Sequence, residues 1–156
     1  MSRQFVEYTN KKLMMARVSW LAAVDTEGIT RQGFREGFLF HCACAVSGLL
    51  AEILEGCLMR PQQPVTFEEA ERLLAHEKVL SGSFQQVKNL KEHGWLGVLL
   101  NDYEQTLHIE EQDSDNAFHN LIASSRTGQS CVGSEGDYLQ SLQKLVQDIR
   151  GQLQEW

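Results

Sequence analysis

Residues 34–59 read FREGFLFHCACAVSGLLAEILEGCLM, and this stretch decides the fold class. Its apolar side chains fall on almost every side of a helix, the pattern of a helix enclosed by other helices. The apolar centre, Phe38–Ala51, is interrupted by His41 and followed at once by Glu52 and Glu55. A run of about 14 residues falls short of the roughly 20 that a membrane span requires, so a core helix is the expectation. Thr30 is a plausible cap for this helix. Its end is expected near Met59, because the residue before Pro61 is pushed out of helical geometry.

Helical spacing continues on both sides. Upstream, Val6, Leu13, Val18, Trp20, Leu21 and Val24 predict a helix over about residues 4–24 with a broad apolar face, and Gly28 lies beyond it as a stop signal. Downstream, Pro61 and Pro64, the only two prolines, fall in one linker. Thr66 and Glu69 form the T-x-x-E pattern of a capping box, which opens a helix carrying Phe67, Ala70, Leu73 and Leu74. Ser83 is read as the cap of a short helix with Phe84, Val87 and Leu90. Gly94 breaks it before another helix containing Trp95, Leu96, Val98, Leu99, Leu100 and Tyr103. Residues 110–136 change character, from an acidic patch (Glu110–Asp115) to SSRTGQSCVGSEG, and predict a long flexible loop. Asp137 is then expected to cap a last helix to Trp156, with Leu139, Leu142, Leu145, Val146, Ile149 and Leu153 on one face. No segment alternates with period two. The prediction is an all-α bundle of four main helices plus one or two short ones, with the long second helix buried, in one domain over residues 1–156.

Charge and cysteine usage narrow the function classes. The chain of 156 residues has net charge −7. Residues 1–60 hold 7 basic and 6 acidic groups, and residues 61–156 hold 7 basic and 15 acidic groups. Nucleic-acid binding needs a cationic footprint, which the second part lacks, and the first offers only Lys11, Lys12 and Arg17. An anionic membrane surface is disfavoured for the same reason. The first residues, MSRQFVEYTNKK, have no apolar run, and the four cysteines then read as reduced thiols of a cytoplasmic protein.

Several constellations carry conceivable chemistry. His41, Cys42 and Cys44, with Cys57 beyond, supply zinc-ligand types, and His41 and Cys44 share a helix face. Cys42 points elsewhere, however, and core packing is the favoured reading for thiols in an apolar helix. Arg35 and His41 match the loose R-x(4–6)-H spacing of HEPN-type helical ribonucleases, in which arginine holds phosphate and histidine moves the proton. Glu36 beside Arg35 would oppose that phosphate. Glu36, His41, Glu52 and Glu55 invite a carboxylate-bridged metal centre, but no E-x-x-H pair occurs. Gly37, Cys44 and Gly48, with Ala45 and Ser47, form a small-residue stripe that predicts a close helix crossing, within the chain or between copies. Cys131 lies in the Ser/Gly-rich segment with only Arg126 as a nearby base, which does not mark an activated thiol. Lys11, Lys12 and Arg17 read as a solvated basic face. A neighbouring molecule's Glu110–Asp115 could pair with it.

The segments AEILEG, VKNLKEHGWLGVLLNDYEQ and the closing QEW resemble a bacterial family of short all-helical proteins of unknown function, mainly found in gammaproteobacterial genomes. The resemblance spans nearly the whole chain. It lies in packing patterns, so it implies an all-helical fold and no catalytic, cofactor or metal residue. With no convergent polar set and no nucleophile or phosphate-loop motif, the expectation is a non-enzymatic cytoplasmic interaction or adaptor protein. It would act through helix faces and bind itself, another protein, or both. The alternatives are the Arg35/His41 ribonuclease and a metal- or small-ligand-binding bundle.

Overall fold

The computed structural model describes the backbone of residues 3–108 and 117–155, and the side chains of 3–108 and 135–155. Its elements are all helices: α1 (Arg3–Val24), α2 (Gly28–Gly56), α3 (Phe67–His76), α4 (Gly82–His93), α5 (Trp95–Leu107) and α6 (Ala117–Gln154). The all-α bundle read from the sequence is what forms.

α2 lies at the centre and packs against each of the other five helices. Phe38, Leu39, Leu49, Leu50, Ile53 and Leu54 are fully enclosed, with Val87, Leu96, Leu99, Leu142 and Ile149 from the surrounding helices. By length and composition α2 could cross a membrane, yet 67% of its apolar window is buried inside the fold. The apolar surround of this helix is thus matched by protein on almost every side.

α1 and α2 form an antiparallel hairpin. Its corner is made by Gly28, whose φ of +64° is cheap only for glycine, and by Arg31, which donates from Nε to the Ala23 carbonyl at 3.1 Å. α2 therefore starts at Gly28, ahead of Thr30, and no side chain caps it. It also stops at Gly56, short of Met59, because Leu58 turns left-handed and lets the Met59 N–H reach the Leu54 carbonyl at 3.0 Å. The crossing is closest at Gly48. A Cβ there would sit 2.5 Å from Thr9 Oγ1 and 2.9 Å from Tyr8 Cδ1. The small-residue stripe thus serves a crossing within the chain. At its other end Gly37 has more room, 3.6 Å from Ser19.

The capping box forms as read: Glu69 N–H donates to Thr66 Oγ1 (3.2 Å) and Thr66 N–H to Glu69 Oε2 (3.0 Å). The cap of α4 lies two residues earlier than expected. Ser81 Oγ accepts from Phe84 N–H at 3.2 Å, while Ser83 is buried and donates to Gln152 at 2.9 Å.

The largest departure is α6. Asp137 is not its cap, because helical backbone already runs from Ala117. The loop expected over 110–136 is helical from 117 onward, through a Ser- and Gly-rich composition that argues the other way. Where side chains are described, tertiary contacts oppose that composition. Glu135 is buried in an ion pair with Arg35, and Gly136 lies under the Trp20 ring. The Glu110–Asp115 patch and the Cys131 thiol lie outside the described residues.

Candidate interaction surface

α1 buries Phe5, Thr9, Leu13, Ala16 and Ala23, a stripe with steps of three, four and seven that faces α2 and α6. Three of the apolar residues expected in its core face, Val18, Leu21 and Val24, are not in it. Met14 is 70% exposed, Val18 62%, Leu21 46%, Val24 41% and Met15 37%. At 100° per residue Met14, Val18 and Leu21 lie within about 60° of one another, and Met15 and Val24 flank them. The helix is apolar on two faces, and the fold covers one. The basic face expected from Lys11, Lys12 and Arg17 is divided accordingly. Lys11 and Arg17 are exposed, whereas Lys12 turns inward over the Tyr8 and Phe40 rings, 5.4 Å from each centroid.

A buried polar cluster holds this helix in place. Glu52, fully enclosed, takes two bonds from Arg150: Nε to Oε2 at 2.8 Å and Nη2 to Oε1 at 3.0 Å. Thr9 Oγ1 lies 2.6 Å from Glu52 Oε1 and 2.9 Å from the Phe5 carbonyl. One hydroxyl proton cannot serve both, and the carboxylate is the stronger acceptor. Arg150 also donates to Asn10 Oδ1 at 2.8 Å and to the Val6 carbonyl at 3.3 Å. The guanidinium thus ties α1, α2 and α6 together. Beside it, Asn10, Met14, Arg17, Gln143 and Gln147 line an open groove of about 380 Å³ between α1 and α6. In the sequence Glu52 marks the end of the apolar run and a conceivable metal ligand, and neither reading points to a buried ion pair. Arg150, 98 residues away, carries no signal of its own.

The other singled-out residues are dispersed. Arg35 pairs with buried Glu135, whose carboxyl is pushed up by burial against the pull of Arg35. His41, six residues along the same helix, points about 120° away from Arg35. It stacks edge-on against Phe40, with centroids 5.2 Å apart, and its Nδ1 is buried without a protein partner among the described residues. Burial, and secondly the Lys12 charge, lower the pKa of this imidazole. Cys42 is in the core and its thiol pKa is raised, by burial and then by Glu135. Cys44 meets Tyr8, whose phenol is pushed up to about 12 by burial and by this thiol. Among the described residues no three His, Cys, Asp or Glu side chains converge to hold a metal.

Fold and surface together define an all-α bundle with one outer helix apolar on both its covered and uncovered faces. The chain belongs to the family of unknown function DUF6586, whose model it matches over residues 3–156. No curated protein and no solved structure matches it.

Proposed function

We propose that this chain is a non-enzymatic protein-interaction module whose contact surface is the outward face of α1. The observation that carries the reading is the stripe of Met14, Val18 and Leu21, with Met15 and Val24 beside it. Single exposed apolar residues are ordinary, but a contiguous stripe is what interaction sites expose. The hairpin corner and the Arg150 cluster hold α1 rigidly, so little ordering entropy remains to oppose binding. The same reading takes the chain as a bacterial, cytoplasmic protein, on the sequence resemblance and the cysteine usage.

The test is site-specific photocrosslinking in cells. A benzophenone side chain replaces Val18 in one variant and the exposed Arg72 in a control. Discrete protein adducts from position 18, absent from position 72, are expected. Equal and diffuse labelling from both positions would remove the reading.

A further inference from the structure

We propose that the partner of α1 is α1 of a second copy of this chain, packed antiparallel about a two-fold axis at Val18. This rests on reading the outward face of α1 as an interaction surface, and it adds the occupant and the register. Lys11, Met14, Val18, Leu21 and Asp25 lie within about 80° around the helix axis. Along that stripe the pattern is self-complementary. A cation stands seven residues before Val18, an anion stands seven residues after it, and between them the stripe holds apolar Met14, Val18 and Leu21, with exposed Arg17 at its edge.

A two-fold axis at Val18 sets Val18 on the partner's Val18 and Met15 at the height of the partner's Leu21. Lys11 then faces the partner's Asp25, and the symmetry supplies the same ion pair at the other end. With a rise of 1.5 Å per residue, the two pairs bracket an apolar strip of about 21 Å. Neither Lys11 nor Asp25 makes an ion pair among the described residues, so both charges are available.

Charge also rejects the competing registers. Parallel packing would set Lys11 against the partner's Lys11 and Asp25 against the partner's Asp25. Sliding the antiparallel pair one turn toward the N-terminus sets Asp25 against the partner's Glu7. Sliding it the other way leaves both charges opposite apolar residues. One helix face buries less than the roughly 800 Å² per partner of a standard interface, so the association is reversible and concentration-dependent.

The test is sedimentation velocity on the full chain over a concentration series reaching roughly 100 μM, with circular dichroism as the folding check. Wild type is expected to shift from monomer to dimer across the series. V18E, at an exposed position, should remain folded and monomeric. K11E and D25K should each weaken the dimer about tenfold, and the K11E/D25K double variant should return to within about threefold of wild type. A monomer throughout the series overturns the proposal. So does a dimer indifferent to V18E, or a double variant that is not rescued. Were the chain monomeric while position 18 crosslinked to a different polypeptide, the second-copy assignment would fail and the α1 reading would stand. A monomer without crosslinks would end both.

Discussion

Replacing Arg150 with methionine keeps most of the side-chain stem and deletes the charge that compensates Glu52. The carboxylate is fully enclosed and takes two of its three close hydrogen bonds from that guanidinium. Removing one partner of a buried pair costs about 3–5 kcal/mol, because the remaining charge stays desolvated. A domain of this size has about 5–15 kcal/mol in hand, so R150M should fold at room temperature with a lower urea midpoint. E52Q should cost less, since Arg150 is 21% exposed in its side chain and can turn part of its head to water. The double variant E52Q/R150M buries no net charge, and its loss should fall short of the summed single losses by about 2 kcal/mol. Urea denaturation of the four proteins at neutral pH completes the cycle, with exposed Arg17→Met as reference. If R150M lost under about 1 kcal/mol, or if the single losses simply added, the cluster would not be what holds α1 to α2 and α6.

Two further perturbations follow from the hairpin. G48A should be destabilised by up to about 2 kcal/mol in the same assay. The added Cβ meets Thr9 and Tyr8, and overpacking of about 1–3 kcal/mol exceeds the helix-propensity gain of about 1 kcal/mol. At Gly33 nothing lies within 4 Å, so G33A should be neutral or more stable, and G48A matching it would refute the tight crossing. His41 tests linkage. Burial, then Lys12, lower its pKa in the fold, so the unfolded chain binds the proton first as pH falls. Its contribution is full above the ordinary histidine value of about 6.5 and declines as pH drops toward the folded value. H41Q should therefore flatten the loss of stability between pH 7.5 and 5.5, and an unchanged slope would contradict the assignment.

Local patterns were legible from residues alone. The enclosed α2 could be read from an apolar surround with helical period, and the Thr66–Glu69 box from a three-residue spacing that only a helix start satisfies. The buried face of α6 was equally plain, with Leu139, Leu142, Leu145, Val146 and Ile149 all in the core. In each case the determining interaction lies within one turn or one face of a single helix.

The tertiary structure decided what covers what. An apolar residue at helical spacing declares that it prefers shelter, and nothing in its spacing says whether this chain supplies it. Val18, Leu21 and Val24 read like Leu13 and are left uncovered because α1 meets α2 and α6 along its opposite side. The partners of Glu52 and of Arg35 lie 98 and 100 residues away. A carboxylate inside an apolar helix requires a counter-charge, but its own neighbourhood cannot specify which distant cation the folded chain will bring to it.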